Sequence, residues 1–110
     1  MKSLVKVDAG ICGFKTRIHA ECEDMQNVAI RISSSCEDIQ KYAADLAESG
    51  DVDAFAEIGS ALDGVVISKA KPYLHGGCAS CIVPAAVYKS MQMAAGLGLP
   101  KDATITMESE

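Results

Sequence analysis

Three segments in which apolar and polar residues alternate fill the first third of the chain, and they constrain the fold more than any other feature. They are residues 4–7, 14–22 and 28–32. A two-residue period places successive side chains on opposite faces of a strand, so each strand has one buried face and one solvated face. Because the connections between the segments are short, we expect an antiparallel meander.

The rest of the chain favours helices. Ser35 and Asp38 approximate a capping box, which predicts a helix that begins beside Cys36 and ends at Gly50. Further helices are predicted over three segments: residues 52–58, 65–70 and 84–95.

Residues 103–107 alternate again and predict a last short strand. Strands followed by helices indicate the α+β class. We therefore predict a three- to four-stranded antiparallel meander with helices packed on one face. A chain of 110 residues forms one domain, residues 1–110.

Composition and charge narrow the possible partners. The net charge is −5, and the lysines and arginines are scattered along the sequence without interleaved aromatic residues. We therefore expect neither nucleic acid nor a membrane surface as a partner. The first residues are too charged for a signal peptide, which predicts a cytoplasmic protein. A series of acidic residues is predicted to form a solvated helical face: Asp45, Glu48, Asp51, Asp53 and Glu57.

Five cysteines are many for such a chain, and their odd number without an export signal argues against a disulfide framework. Metal, cluster or redox chemistry is the expected use, and the alternative is that the thiols fill the core. Cys22 continues a strand face with Phe14 and Ile18, so we expect it to be buried.

The segment from His75 to Cys81 carries the strongest chemical signal. Cys78 and Cys81 are separated by two residues, so both sulfurs can reach one ion, and the preceding Gly-Gly pair lets the backbone wrap around it. Cys81 and Cys36 both precede predicted helices, whose N-termini should lower a thiol pKa. Cys12 lies in a glycine-flanked loop. His75 is a further candidate ligand, since imidazole binds zinc and iron.

Four stretches resemble a small family of uncharacterised proteins that occurs mainly in anaerobic bacteria and methanogenic archaea. The stretches are DAGICGF (8–14), SCE (35–37), CIVP (81–84) and AGLGLPKD (95–102). The resemblance spans nearly the whole chain and implies an anaerobic setting.

The order of cysteines also resembles the U-type iron–sulfur cluster assembly scaffold. The gaps are 24 residues (36 minus 12) and 45 residues (81 minus 36). This resemblance implies a platform in which Cys12, Cys36 and Cys81 hold an iron–sulfur cluster or zinc at one end of the sheet. The scaffold has a histidine before its third cysteine, where this chain has Ser80, and Cys78 is the candidate replacement.

Three functional hypotheses follow. The first is a non-enzymatic protein of anaerobic metabolism that binds a metal ion or iron–sulfur cluster and serves as a carrier, scaffold or small electron-transfer partner for another protein. The second is a thiol redox or transfer protein that uses Cys78 and Cys81. The third is an interaction module with structural cysteines. No hydrolase or phosphate-binding motif is present, so no catalytic residue is predicted.

Overall fold

A four-stranded antiparallel sheet is the framework of the computed structural model, which describes residues 1–110. The strands lie side by side in chain order: β1 (Lys2–Asp8), β2 (Lys15–Cys22), β3 (Asn27–Ser34) and β4 (Val52–Asp53). The predicted meander is confirmed.

The strand register separates a buried face from an open face. Ile18 lies opposite Val5 on β1 and Ile32 on β3. Ile18 is fully buried, and the same face of β2 also buries Ala20 and Cys22. On β1, β2 and β3, the side chains that alternate with these buried ones point to the other face of the sheet, which no helix covers.

Four helices follow: α1 (Glu37–Glu48), α2 (Ala54–Gly59), α3 (Val65–Ser68) and α4 (Val83–Ala94). Two 3-10 turns lie between them, at Ala61–Asp63 and Gly76–Ser80. α4 packs across β1 and β2, and α1 packs on β3. The α+β class is therefore confirmed, with the helices on one face. None of the helices is long and apolar enough to cross a membrane.

Two long-range contacts fix the helical layer. The Ser3 hydroxyl of β1 donates to the carbonyl oxygen of Ser90 in α4 at 2.9 Å. The Tyr42 hydroxyl of α1 donates to the carbonyl oxygen of Val66 in α3 at 2.7 Å. Ser90, Tyr42 and Val66 are all fully buried. Each contact therefore joins two elements inside the core, where water cannot compete for the hydrogen bond.

The strand predicted at residues 103–107 is wrong. This segment has no secondary structure, and Ile105 and Met107 are 63% and 86% exposed. The fourth strand is β4 instead, within a segment predicted to be helical, where Val52 pairs with Val28. Both valines are buried, so the pairing there is supported by the core. Alternation alone cannot form a strand without a neighbour to pair with.

The solvated acidic face is also wrong for Asp45, Asp53 and Glu57. Asp53 is the last residue of β4, and its carboxylate caps α2 by accepting the backbone N–H groups of Phe55 and Ala56. Glu57 is buried, and its two carboxylate oxygens accept the backbone N–H groups of Val65 at 2.8 Å and Val66 at 2.6 Å. Asp45 is partly buried and accepts bonds from Lys69 and Tyr73, both at 2.9 Å. All three carboxylates therefore bind other parts of the chain rather than water alone.

Candidate functional thiol site

The candidate cysteines lie where elements of the fold meet. Cys12 is in the β1–β2 loop. Cys36 is the second of the two residues that connect β3 to α1, and it directly precedes the helix. Cys78 lies inside the second 3-10 turn, and Cys81 separates that turn from α4's N-terminus. Because the strands are antiparallel, the end of β1, the start of β2 and the end of β3 share one end of the sheet.

The loop that carries Cys12 is closed at its base. The Gly13 N–H donates to the Gly10 carbonyl oxygen at 2.9 Å, and the Gly10 N–H donates to the Asp8 carboxylate at 3.1 Å. Gly10 and Gly13 have φ angles of +84° and +74°, which a residue with a Cβ adopts only with strain. The glycines thus allow a tight turn that leaves Cys12 exposed at its tip.

Cys36, rather than Ser35, occupies the N-cap position of α1, which corrects the predicted capping box. The Ser35 hydroxyl instead accepts the backbone N–H of Lys15 at 3.0 Å, and this bond joins the junction to β2. Ser34 accepts the backbone N–H of Cys36 at 3.1 Å. The side chain of Cys36 makes no capping bond and is half-buried, so its sulfur is not engaged by the helix.

The predicted C-x-x-C segment forms a 3-10 turn. The Cys78 N–H donates to the His75 carbonyl oxygen at 3.2 Å, and the Cys81 N–H donates to the Cys78 carbonyl oxygen at 3.0 Å. Gly76, with a φ angle of +61°, starts the turn. Cys78 is exposed and Cys81 is half-buried. His75 is exposed, and the charged groups that shift the Cys81 pKa do not include it.

The pKa of Cys81 is shifted by its burial and by the other three candidate thiols. Burial is the largest influence and raises the pKa of Cys81 above its ordinary value. Negative charge on the other three thiols raises this pKa further: Cys12, Cys36 and Cys78. The charges of these thiols thus reach Cys81, although no three of the four lie close enough together to hold a metal ion.

The prediction that a helix N-terminus lowers the thiol pKa is wrong for Cys81. α4 begins only at Val83, whose backbone N–H does act on Cys81 to lower its pKa. This bond is the second largest influence, but burial together with the three thiols outweighs it, so the pKa is raised. A charged thiolate is therefore less favoured at Cys81 than in an ordinary cysteine.

The donor set suits a soft metal, but the thiols are not arranged as a finished coordination shell. Four thiolates are the ligands of structural zinc and of iron–sulfur clusters. No group of three or more histidine, cysteine, aspartate or glutamate side chains is placed closely enough to hold a metal ion. A Cβ on Gly13 or Gly77, beside Cys12 and Cys78, would meet no atom within 4 Å, so no other part of the chain packs on these two glycines.

Cys22 lies apart from this group. It is 3% exposed on the core face of β2, and its thiol contacts the Asp24 carboxylate at 3.6 Å. The buried position predicted from the strand pattern is confirmed. Cys22 therefore offers an internal comparison for the four candidate ligands.

Asp45 fixes the segment that leads into the cysteine turn, through contacts that the sequence did not reveal. Its bonds to Lys69 and Tyr73 hold the end of α3 and the following segment against α1, a few residues before the cysteine turn. The Lys69 hydrogen bond is the largest cause of the lowered pKa of Asp45. These partners are 24 and 28 residues away in sequence, so no local pattern links them.

The sequence profile of one family, described as a family of unknown function (DUF6951), matches residues 3–107. The match includes all five cysteines. No curated protein and no solved structure is significantly similar to this chain. The resemblance to the iron–sulfur scaffold therefore stays a prediction, as does the anaerobic setting.

Proposed function

The chain belongs to the DUF6951 family, and for this member we propose the binding of a metal ion or iron–sulfur cluster through Cys12, Cys36, Cys78 and Cys81. One observation carries the proposal: Cys12 and Cys36 follow strand ends at the same end of the sheet, and their charges, like that of Cys78, reach Cys81. Buried cysteines that only fill a core have no reason to gather in this way, and two of these four are exposed.

The same electrostatics supply a driving force for binding. Thiolates that lie close together repel one another, and partial burial of Cys81 removes the water that would screen them. A bound cation neutralises this repulsion, and each thiol loses its proton as it becomes a ligand. Metal affinity should therefore rise with pH over the range in which the thiols still carry protons.

The site requires a local rearrangement to bind metal, because the side chains do not yet form a ligand group. Cys36 and Cys81 are held at the starts of α1 and α4, which are well packed in the core. Cys12 and Cys78 lie in exposed, glycine-containing loops. We infer that the two helix-anchored thiols form the fixed half of the site and that the two loops close over the ion.

Exposure of Cys12 and Cys78 also supports a transient rather than a purely structural occupant. A zinc ion that only stabilises a fold is usually enclosed by its ligands. Here the two loop thiols face solvent, where a protein partner can reach them and accept a cluster or electrons. A carrier, scaffold or small electron-transfer protein fits this arrangement.

The thiol redox hypothesis has less support. A nucleophilic cysteine needs a lowered pKa, since the thiolate is the reactive form. The raised pKa of Cys81 acts against this role. Cys78 is exposed, but Cys81 would still have to act as its partner in a disulfide.

The test is purification under anaerobic conditions, with iron, zinc and acid-labile sulfide quantified per chain and a visible spectrum recorded. We expect either iron with sulfide or one zinc ion per chain. Cys36→Ala and Cys81→Ala should each lower the affinity for the metal by a factor of at least about ten, because each variant removes one ligand.

Cys22→Ala is the matched control, because it removes a thiol of the same chain that lies in the core. This variant should keep the metal content of the unaltered protein. Full metal content in a Cys36→Ala, Cys81→Ala double variant, or a metal-free protein after reconstitution with iron, sulfide and zinc, would overturn the proposal.

A further inference from the structure

The open face of the sheet gathers half of the lysines and arginines of an acidic protein. The strand register places Lys6 beside Arg17, and Leu4 beside His19, which in turn lies beside Arg31. Two further charged pairs lie across β1 and β2: Lys2 with Glu21, and Asp8 with Lys15. The basic side chains on the face are Lys2, Lys6, Lys15, Arg17 and Arg31, and the acidic ones are Asp8, Glu21 and, on β4, Asp53.

The charge distribution is therefore strongly asymmetric. Five basic and three acidic residues give this face a formal charge of +2 (5 minus 3), with His19 neutral. The remaining five basic and twelve acidic residues give the rest of the chain −7 (5 minus 12). The two values sum to the net −5. The basic residues that are scattered in sequence are thus collected in space.

Most of these cations have no counter-charge within the protein. The only ion pair on the face joins Lys2 and Glu21, at 3.7 Å, and both side chains are largely exposed. The other two ion pairs of the protein lie in the helical layer. Lys6, Arg17 and Arg31 form no ion pair, so their charge is available to a partner.

The face also has a recess. A hollow of about 390 Å³ opens on it, and its rim includes Lys2, His19, Glu21 and Arg31. Ala29, between the longer side chains of its neighbours, is part of the lining and leaves room above β3. The volume of the recess exceeds that of one carboxylate side chain, and Lys2 and Arg31 outweigh Glu21 to give the rim a formal charge of +1.

We propose that the open face of the sheet is a docking surface for an acidic segment of a partner protein, with a carboxylate seated in this hollow. Leu4, 48% exposed beside His19, supplies an apolar contact among the charged groups. An apolar contact surrounded by charged residues is typical of a protein interface.

A protein partner fits the face better than nucleic acid. The face carries no Phe, Tyr or Trp, the large rings on which single-stranded nucleic-acid sites usually stack successive bases. Asp8 and Glu21 would oppose a continuous phosphate backbone, whereas a protein partner can meet them with its own cations. This inference is independent of the thiol site, because it rests on the strands alone.

The experiment measures fluorescence anisotropy of a labelled oligoglutamate peptide with the metal-free and the metal-loaded protein, at low and at physiological salt. We expect binding at low salt that weakens as salt rises. The Arg17→Ser, Arg31→Ser double variant should bind at least about tenfold more weakly.

The Lys71→Ser, Lys89→Ser double variant is the control, because it changes the net charge equally and both residues are exposed outside the sheet. It should bind within about twofold of the unaltered protein. Four results would overturn the proposal: no oligoglutamate binding, equal losses in both double variants, tighter binding of oligouridylate or phosphatidylserine vesicles, or a dimer that the Arg17→Ser, Arg31→Ser variant dissociates.

Discussion

Glu57 lies so close to Gly64 that any side chain at position 64 would have to displace it: a Cβ on Gly64 would be 2.5 Å from the Glu57 carboxylate oxygen Oε2. Gly64 is the N-cap residue of α3 and has no side chain with which to cap it. The buried carboxylate of Glu57 reaches the unpaired N–H groups of this helix instead. One residue therefore caps its neighbouring helix across a gap that only glycine leaves open.

Glu57→Gln should destabilise the protein by about 1–3 kcal/mol, because only one of the two amide atoms can accept a backbone N–H. The amide nitrogen of the glutamine would instead place its own N–H groups against a backbone N–H group of α3. The negative charge that stabilises the N-terminus of the helix is also lost. Urea unfolding monitored by circular dichroism measures the change. Glu48→Gln, on the exposed surface of α1, should change the free energy of unfolding by less than about 0.5 kcal/mol. Equal stabilities of the two variants would contradict the capping role.

Gly64→Ala should also destabilise, by about 1–3 kcal/mol, since the added methyl group displaces the Glu57 carboxylate from its two bonds. Gly59→Ala is the matched control, because a Cβ there meets nothing within 4 Å and its φ angle is not positive. This control should be neutral or slightly stabilising. Thermal unfolding of the two variants, measured side by side, tests this prediction. A Gly64→Ala protein as stable as the Gly59→Ala control would show that the close approach of Glu57 to Gly64 is not needed.

Cys81 should react with iodoacetamide only at a higher pH than an ordinary thiol, whose pKa is about 8.5. Burial is the main cause of its raised pKa, and the three neighbouring thiols add to it. Replacing Cys12, Cys36 and Cys78 by serine should therefore lower the pKa of Cys81 part of the way to its ordinary value. Alkylation of the reduced, metal-free protein, followed by peptide mass spectrometry over a pH series, measures this.

Cys22→Ala is again the control and should leave the alkylation profile of Cys81 unchanged, since Cys22 does not act on it. An unchanged profile in the triple serine variant would mean that the four thiols do not interact. That result would weaken the metal-binding proposal as well.

Tyr42 should make the protein less stable in alkaline solution. Burial, and then the negative charge of Glu57, raise the pKa of Tyr42 above the usual value of about 10. The folded state thus keeps a proton that the unfolded state releases, so the stabilisation is complete below pH 10 and is lost as pH rises further.

Tyr42→Phe should lower the free energy of unfolding by about 0.5–1.5 kcal/mol at neutral pH, because the bond to Val66 is lost. The loss of stability in alkaline solution should also become less steep. Urea unfolding at several pH values tests both, and an unchanged slope would contradict the assignment.

The sheet could be predicted because its strands alternate over many residues, whereas β4 is too short to show any period. Val52 and Asp53 were assigned to a helix that in fact begins at Ala54. Residues 103–107 show the opposite case, in which a good strand pattern has no partner strand. Pairing between distant segments decides both outcomes, and local sequence does not encode it.

The four site cysteines were identified from their positions next to glycines and helix starts, and the metal site that they would form stays a prediction. The electrostatic state of Cys81 was not predictable, since it depends on where α4 begins and on how deeply the thiol lies. Glu57 was missed because it resembles the other acidic residues of its segment. The available signal was Gly64, a helix start without a capping side chain, which implies a cap from elsewhere.

The packing of α4 across β1 and β2 has a consequence for synthesis of the chain. The apolar face of the first two strands is complete once Cys22 has been made, yet its cover, including Val87 and Met91, is encoded more than sixty residues later. A ribosome adds residues from the N-terminus onward, so the nascent meander must expose that face while the intervening helices are still being translated. This interval is when the chain is most exposed to aggregation and most suited to binding by a chaperone.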